Sequence, residues 1–412
     1  MEVIKFPKGF LWGASTSSHQ AEGGNSNDWT EWEKANAHQL ARKAGNNWTK
    51  QQQEMFPEMF RPENYISGRA CDHYNRFEKD FDIAKLLGHN AHRFSIEWSR
   101  VEPEEGNFNE KEIEHYRQVI LALRKRGLEP FVTLWHWTNP LWLPNWASNK
   151  AVDRFIKYVE KIVSSLKNEV KFWITVNESE LYSAGSQLTL LWPPAGRNFI
   201  SYILTIENLI KAHKAAYKII KSIQPEAQVG VATHNVYLEA YKNRLRNAFV
   251  KKIGDWWINF YFLDMIKNHQ DFIGLNYYFY YPIKDFRIYQ NKNEEISDLG
   301  WEIFPEGIYH VLKDLRKYEK PIYITENGLA DAKDAKREKF IKNHLYWINR
   351  AIQENIDVRG YFYWSLLDNF EWDKGFWPRF GLIEVDYQTM ERKIRPSAYF
   401  YQKICQTNSL MI

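Results

Sequence analysis

The sequence predicts an α/β fold in which eight parallel strands, each followed by a helix or an extended loop, close into one barrel. Three observations support this prediction: strand-forming runs alternate with amphipathic segments, eight strand runs can be counted, and no linker rich in Pro, Gly or Ser divides the 412 residues. Such alternation is typical of parallel sheets with crossover helices, and eight repeats suffice to close a (β/α)8, or TIM, barrel. We therefore expect residues 1–412 to form a single domain with elaborated loops at the C-terminal mouth.

The predicted strands are short runs of β-branched and aromatic residues that end at polar residues or turns. In chain order they are Phe10 to Thr16, Ala91 to Trp98, Pro130 to Trp137, Lys171 to Glu178, Gln228 to Asn235, Asp271 to Tyr278, Pro321 to Glu326 and Val358 to Leu366. The helices show apolar residues at helical spacing. They are Asp72 to Leu87, Glu110 to Arg126, Val152 to Leu166, Tyr202 to Ile223, Arg244 to Ile266, Pro305 to Tyr318, Lys336 to Glu354 and Pro396 to Ile404.

An open, doubly wound sheet is the alternative architecture. The first strand and the residues after it read Leu11-Trp-Gly-Ala-Ser-Thr-Ser-Ser, which lacks the glycine-rich dinucleotide fingerprint and so weakens that alternative. The polar segment from Asn36 to Gly68 is too long for an ordinary connection. We expect it to form an elaborated loop over the C-terminal mouth of the barrel, where substrates bind.

Composition argues against several classes of function. The formal charge of +4 is small for this length, and no basic block is interleaved with aromatic residues, so we expect no nucleic-acid partner. No stretch approaches the ~18 apolar residues of a membrane span and the start lacks an apolar signal region, so we expect no membrane partner and a cytoplasmic location. The two cysteines, Cys71 and Cys405, argue against a disulfide framework and a multi-cysteine metal site. The densest basic cluster is predicted to be a solvated helix face and comprises Lys242, Arg244, Arg246, Lys251 and Lys252.

Two of the predicted strands end in a carboxylate. Pro321-Ile-Tyr-Ile-Thr-Glu-Asn-Gly places Glu326 at the end of one, and Lys171-Phe-Trp-Ile-Thr-Val-Asn-Glu places Glu178 at the end of another. One such Glu is as readily explained by a turn as by chemistry. Two of them match the need of glycosidic-bond hydrolysis, in which one carboxyl protonates the leaving oxygen while the other attacks or stabilises the anomeric carbon.

The C-terminal ends of barrel strands converge, so polar and aromatic residues at those ends form a candidate site. Singly each has a packing explanation: Arg93 as a buried ion-pair partner, His136 as a core histidine, Trp364 as core. Together they suit the binding of sugar hydroxyls, and the 18 Trp residues include flat faces on which pyranose rings could stack, although most are expected to pack in the core. The candidates are Gln20, Glu22, Arg93, His136, Trp137, Asn177, Glu178, Asn276, Tyr278, Glu326, Trp364, Glu371 and Trp372.

Several motifs are specific enough to indicate a family. They are Phe-Leu-Trp-Gly-Ala-Ser-Thr-Ser-Ser-His-Gln-Ala-Glu-Gly, Arg-Phe-Ser-Ile-Glu-Trp-Ser-Arg, Thr-Val-Asn-Glu, Ile-Thr-Glu-Asn-Gly and Trp-Ser-Leu-Leu-Asp-Asn-Phe-Glu-Trp. With these motifs the chain resembles the family 1 glycoside hydrolases, the β-glucosidases and β-glycosidases built on a (β/α)8 barrel. The resemblance extends from Phe6 to Tyr399 and thus covers nearly the whole chain.

The resemblance implies a retaining β-glycosidase in which Glu326 is the nucleophile and Glu178 is the acid/base. It implies small-molecule β-glycoside substrates, non-phosphorylated glucosides and possible galactosides or fucosides, and neither metal nor cofactor. The residues implied to hold or stack on the sugar are Gln20, His136, Asn177, Trp364, Glu371 and Trp372. Those implied to support the carboxylates are Arg93, Asn276 and Tyr278.

The chain departs from the family pattern at three places. Ser179 stands where a proline usually follows the acid/base, the segment between Ile266 and Asp271 looks short, and the Asn36 to Gly68 segment looks long. The last two departures are expected to affect the outer, aglycone-side subsites. Two alternative functions remain: a 6-phospho-β-glycosidase, whose members replace Glu371 with Ser and follow it with a Lys and a Tyr that grip phosphate, and a non-catalytic sugar-binding barrel.

Overall fold

The computed structural model describes residues 2–284, 287–288 and 295–412, and eight parallel strands close into a barrel at its centre. Strand β8 pairs in parallel with β1 and β6 pairs with β7, which completes the ring. The predicted fold class is confirmed, and every observed strand end lies within three residues of its predicted position. The barrel strands are β1 Leu11–Ser15, β2 Ala91–Ser95, β3 Glu129–Trp135, β4 Phe172–Asn177, β5 Gln228–His234, β6 Phe272–Asn276, β7 Ile322–Asn327 and β8 Val358–Trp364.

Eight long helices follow the strands and cover the outside of the barrel. The predicted helix Arg244 to Ile266 is interrupted, because a π-helical turn, Asp255–Phe260, separates α5 from a second α-helix, Tyr261–Ile266. The long helices are α1 His73–Leu86, α2 Glu110–Lys125, α3 Asn149–Leu166, α4 Phe199–Ile223, α5 Leu245–Gly254, α6 Glu306–Leu315, α7 Arg337–Gln353 and α8 Pro396–Thr407. Another long helix, Asp28–Asn47, lies between β1 and α1. Short α-helices are Ser18–Ala21, Lys50–Met55, Trp98–Val101 and Ser179–Gln187.

Helix α3 illustrates why these segments are helical and why they pack on the barrel. The Ser148 hydroxyl caps its first turn by accepting the Lys150 N–H at 3.3 Å. Phe155, Val159 and Ile162 recur at helical spacing and are fully buried. Burial of each such side chain stabilises the fold by ~1.5–3 kcal/mol, so the stripe fixes which face of α3 meets the strands.

The inside of the barrel is filled by an aromatic layer at its N-terminal end. Phe131 and Phe172 stack with ring centroids 4.2 Å apart, and Phe131 also meets Tyr323 and Phe362. Phe272 completes the layer against Phe172 and Tyr323. Because apolar rings close this end, polar side chains on the upper parts of the same strands can meet only at the C-terminal mouth.

The segment from Asn36 to Gly68 lies between β1 and α1, as expected, but it is helical rather than an irregular loop. It contains most of helix Asp28–Asn47, then Lys50–Met55 and the 3-10 helices Pro57–Phe60 and Pro62–Tyr65. Capping boxes begin the two α-helices, at Asn27 with Thr30 and at Thr49 with Gln52. From Asn36 onward the buried residues of the first helix are the alanines Ala37, Ala41 and Ala44, which produce little hydrophobic periodicity.

Two connections on β5 and β6 bear on the site. The short segment between Ile266 and Asp271 enters β6 at its N-terminal end, so it lies at the end of the barrel away from the mouth and does not bear on the aglycone side. At the mouth, Tyr237–Ala240, Tyr280–Lys284 and Arg287–Ile288 form a small three-stranded sheet. Outside the barrel, Val3–Lys5 pairs with Ser409–Met411, and Ile383–Val385 pairs with Arg392–Ile394.

No helix among the described residues combines the length and the apolar character that crossing a bilayer would need.

Candidate active site

A cleft of about 350 Å³ at the C-terminal mouth collects the candidate residues. A larger opening of about 660 Å³ lies at the N-terminal end of the barrel. Neither Glu178, which follows β4, nor Glu326, near the end of β7, lines that opening. Arg93 and Asn276 lie beneath the cleft, and each is hydrogen-bonded to one of those carboxyls. The cleft is lined by other residues expected from the sequence, which are Gln20, His136, Trp137, Asn177, Glu178, Tyr278, Glu326, Trp364, Glu371 and Trp372.

Glu326 lies in β7 and is held by a cation and a phenol. The Arg93 guanidinium donates to its Oε1 in a short ion pair, and the Tyr278 hydroxyl donates to its Oε2 at 2.9 Å. Burial raises the pKa of Glu326 to about 7, whereas Arg93 lowers it and Glu178 raises it. The two hydrogen bonds fix both carboxyl oxygens, and the ion pair favours the ionised form of this carboxyl over the other.

Glu178 follows β4 and occupies a left-handed backbone conformation, with φ +46°. A non-glycine residue in this region is strained, and such strain persists where the surrounding structure enforces it. Asn276 donates to Glu178 Oε1 at 2.7 Å, and the imidazole Nδ1 of His234 lies 3.5 Å from the same oxygen. Ser179 begins helix Ser179–Gln187 at a first-turn position that also suits proline.

A network of amides determines the protonation of His136. Arg93 Nη2 donates to Asn177 Oδ1 at 2.6 Å, so the NH2 group of Asn177 must face His136 Nε2, 3.2 Å away. Burial holds the pKa of His136 well below its usual range, and Arg93 lowers it further. The ring is therefore neutral, accepts at Nε2 and carries its proton on Nδ1. That atom is buried and has no hydrogen-bond partner among the described residues.

Gln20 and Glu371 meet on another wall of the cleft. The Ser17 hydroxyl donates to Gln20 Oε1 at 2.7 Å, and the amide NH2 of Gln20 donates to the Phe370 carbonyl at 2.8 Å and lies 3.4 Å from Glu371 Oε2. Burial raises the pKa of Glu371 to about 8; Lys374 lowers it, and the neighbouring carboxyls raise it. The Lys374 ammonium pairs with Asp373 rather than with Glu371. This wall thus offers a carboxyl and an amide side by side, both able to bind hydroxyls.

Aromatic residues form the rest of the inner wall. Trp372 stacks on His19 with a centroid distance of 5.4 Å and packs against Trp137 at 4.8 Å. Trp364 lies nearly parallel to His136 at 6.3 Å. Trp137 donates its indole N–H to the Asn177 carbonyl at 3.0 Å, which ties this wall to β4.

One candidate lies away from the cleft. Glu22 is buried beside Arg100 and Tyr116, pairs with the guanidinium at 3.1 Å and accepts from the phenol at 3.0 Å. It does not line the cleft, because the chain turns away after the short helix Ser18–Ala21. The expectation that Glu22 belongs to the site was therefore wrong, and its role is that of a buried ion-pair partner.

The open edge of the cleft was missed in the sequence. His234 ends β5, so the rule that found the other residues would have found it had it been applied to every strand. The other missed residues come from loops whose folding brings them to the edge, and no local pattern marks them. The missed lining residues are Leu181, Trp192, His234, Phe279, Tyr281, Trp301, Asp373, Lys374 and Phe380.

Within residues 2–284, 287–288 and 295–412, no set of three or more His, Cys, Asp or Glu side chains is placed to hold a metal ion.

Comparisons with known proteins agree on one family. A family model described as glycosyl hydrolase family 1 matches residues 2–268 and 234–410. A 1,4-beta-D-glucan glucohydrolase of Thermotoga neapolitana is 32% identical, with 98% of this chain and 99% of that protein covered. A solved β-glycosidase from Pyrococcus horikoshii superposes with a TM-score of 0.89 at 36% identity, covering 100% of this chain and 97% of that one. A β-glucosidase from Thermotoga maritima in complex with glucoimidazole gives a TM-score of 0.85 at 30% identity, covering 98% and 99%.

Proposed function

The chain belongs to glycosyl hydrolase family 1 and is a retaining β-glycosidase, and we propose that Glu326 is its nucleophile, Glu178 its acid/base and non-phosphorylated β-D-glucosides its substrates. The observation that carries the assignment of roles is the difference between the two carboxyls. Glu326 touches a guanidinium and a phenol, whereas Glu178 meets an amide and an imidazole. When one proton is shared between two nearby carboxyls, the negative charge resides where the cation is.

In the first step, ionised Glu326 attacks the anomeric carbon of the bound sugar. The bond between that carbon and the leaving oxygen breaks as Glu178 transfers its proton to the oxygen, and a glycosyl ester forms on Glu326. Loss of negative charge from Glu326 weakens the attraction of Arg93. Loss of the proton leaves Glu178 ionised, so the charge moves from one carboxyl to the other.

In the second step, Glu178 takes a proton from water, and the resulting nucleophile attacks the same carbon and releases Glu326. Two inversions give net retention of the β configuration. Asn276 holds Glu178 through both steps, because its side-chain N–H can donate to the carboxyl whether or not the other carboxyl oxygen carries the proton.

The cleft polarity supports a neutral sugar as the substrate. His136 presents a donor, and Gln20 and Glu371 present a mixed pair to adjacent hydroxyls. The Lys374 ammonium beside this wall is already paired with Asp373. A 6-phosphoglycoside would bring a dianion to this wall without a free cation to receive it, so the non-phosphorylated class fits better. Curated relatives are named glucan glucohydrolase, β-glucosidase and β-galactosidase.

Complementary variants test the two roles. Glu326→Gly should abolish hydrolysis yet form glycosides from an α-glycosyl fluoride, because that donor mimics the covalent intermediate. Glu178→Ala should retain more activity on dinitrophenyl glucosides than on alkyl glucosides, and added azide should give the β-glycosyl azide. Exchanged phenotypes would overturn the assignment. Glu22→Ala serves as a control, because the carboxyl of Glu22 is buried outside the cleft. This variant should show neither glycoside synthesis from the α-fluoride nor the azide product.

We further propose that residues 1–412 form one catalytic domain and that the protein acts in the cytoplasm. The buried, unpaired state of Cys71 and Cys405 supports a reducing compartment. Cell fractionation with alkylation of free thiols tests the location; recovery of the active protein outside the cell with these thiols oxidised would contradict it.

A further inference from the structure

Helix α5 packs against the rest of the protein through one side, while the side with its largest apolar residues faces away. Val250 belongs to the cluster around Leu238, and Gly254 approaches so closely that a Cβ there would lie 3.0 Å from Leu238 Cδ1. Asn247 is also buried on this side. These contacts fix the rotation of α5 against the small sheet that contains Tyr237–Ala240.

The opposite side of α5 is apolar and faces solvent. Leu245 is 91% exposed, Phe249 63% and Ile253 53%. Since an α-helix turns by roughly 100° per residue, these three positions fall within roughly 80° of arc. A surface helix normally turns such a stripe inward. In the part of the chain that the structure describes, α5 instead turns this apolar stripe towards solvent.

The apolar stripe continues beyond α5. Exposed Trp256 contacts Trp257, which contacts Tyr202, which in turn contacts Phe199 at the start of α4. Ile200 and Leu204 in α4 and Leu190 and Leu191 in the loop before it are exposed as well. We call the whole set the α4–α5 surface; its apolar members are Leu190, Leu191, Phe199, Ile200, Leu204, Leu245, Phe249, Ile253 and Trp256.

The same region carries several cations, and the acids that border it, Glu207, Glu239 and Asp255, are bonded to Tyr261, Tyr280 and Lys251. Residues 188–206 and 240–254 contain no Asp or Glu. Lys252 and Arg246 fall on either side of the apolar stripe of α5, at roughly 20° beyond each of its edges. Lys251 is paired with Asp255, just outside the segment. The basic members of the α4–α5 surface are Arg197, Lys242, Arg244, Arg246, Lys251 and Lys252.

We propose that the α4–α5 surface docks on an anionic lipid bilayer. Apolar side chains flanked by Lys and Arg are the pattern of helices that lie in the plane of a membrane interface, and Trp is favoured at that depth. Helix α5 is ~15 Å long, half the ~30 Å hydrocarbon thickness, so it lies on the bilayer without crossing it. The sequence expectation of no membrane partner rested on the lack of a span, which in-plane docking does not need.

A second copy of the chain fits this surface less well than a bilayer. A two-fold dimer would place the surface against itself, bringing the cations that flank each apolar stripe close to those of the partner copy. No acidic residue of either segment could offset that repulsion. An anionic headgroup layer instead complements the cations, while the acyl region receives the apolar side chains. Leu191 precedes Trp192, which lines the cleft, so docking brings the cleft close to the headgroups.

Sedimentation of the full chain with vesicles tests the proposal. The protein should sediment with vesicles of phosphatidylcholine and phosphatidylglycerol at low ionic strength, and roughly tenfold less with phosphatidylcholine alone or in about 1 M salt. The double variant Phe249→Ser/Ile253→Ser and the variant Lys252→Glu should each reduce the bound fraction several-fold. Hydrolysis of a soluble nitrophenyl glucoside should stay unchanged, because none of these residues lines the cleft.

Matched changes elsewhere separate docking from general stickiness. Leu86 and Leu141 are 57% and 59% exposed, so Leu86→Ser and Leu141→Ser remove comparable apolar surface outside the α4–α5 surface. Lys111→Glu, at an exposed position of α2, is the charge control. All three should bind vesicles as the wild type does. The proposal would be overturned if the wild-type protein did not bind anionic vesicles at low salt. It would also be overturned if the wild type self-associated in solution without binding vesicles and Phe249→Ser/Ile253→Ser abolished that self-association.

Discussion

The hydroxyl of Tyr278 should set the lower limit of the pH range in which the enzyme works. It donates to Glu326 Oε2 at 2.9 Å and is one of the groups that lower the pKa of this buried carboxyl. As the proposed nucleophile, Glu326 must be ionised to attack, so activity should be lost as pH falls through its pKa. Tyr278→Phe removes the hydrogen bond and keeps the ring, and the pKa of Glu326 should therefore rise.

The size of the shift follows from the energy of the bond. A hydrogen bond to a charged group contributes ~1.5–3 kcal/mol, and 1.36 kcal/mol corresponds to one pKa unit. The acid limb of the kcat/KM profile should thus move upward by roughly one to two units. Well above that limb the loss of activity should be smaller than at low pH, because Arg93 still holds the carboxylate.

Steady-state hydrolysis of a nitrophenyl β-D-glucoside across the pH range measures this limb, since kcat/KM reports ionisations of the free enzyme. Tyr281→Phe is the matched control: Tyr281 also lines the cleft, and its ring stacks on Phe279 at 5.6 Å. Its profile should superpose on that of the wild type. An acid limb that stays in place in Tyr278→Phe, or that moves to lower pH, would refute the reasoning.

Three further outcomes are expected. Proton NMR of the first product should show the β anomer, and an initial α anomer would rule out double displacement. Glu371→Ser should lower kcat/KM for glucosides by roughly one to two decades and hurt a 6-phosphoglucoside less; an equal loss on both donors, with a lower Tm, would mean that Glu371 only stabilises its loop. Trp301→Ala should cost roughly tenfold in kcat/KM on cellobiose, as expected for a lost aromatic platform, and little on methyl β-glucoside; equal losses on the two substrates would place Trp301 outside the aglycone region.

The strands and the residues at their ends could be predicted because both follow from local rules. A run such as Ile322–Asn327 is recognisable from its β-branched residues, and its C-terminal end must lie at the mouth once the barrel is accepted. Glu326 and Glu178 therefore reach one cleft by topology alone. The environments that distinguish them depend on Arg93, Tyr278 and Asn276, whose placement the family resemblance implied and periodicity alone did not.

Helix Asp28–Asn47 shows where local rules failed although a signal was present. Asn27 and Thr30 form a capping box, a pattern visible in the sequence. The buried stripe of small residues, Ala37, Ala41 and Ala44, contributes little to hydrophobic periodicity because alanine is only weakly apolar. The segment was expected to be a loop because its composition is mostly polar, although the capping box indicates the start of a helix.

The basic cluster at α5 marks a different limit, because helical periodicity alone does not state which side of a helix meets the fold. The prediction of a solvated face was right for Arg244 and Lys252, which are exposed. The same periodicity makes Leu245, Phe249 and Ile253 one stripe, and a stripe of that kind is ordinarily assigned to the core. Two contacts reverse this assignment: Val250 packs on the small sheet, and Gly254 permits close approach to Leu238. The apolar stripe is exposed because the other side of α5 fits its neighbour better, and that fit depends on contacts with Leu238 in the small sheet, which the periodicity of α5 does not contain.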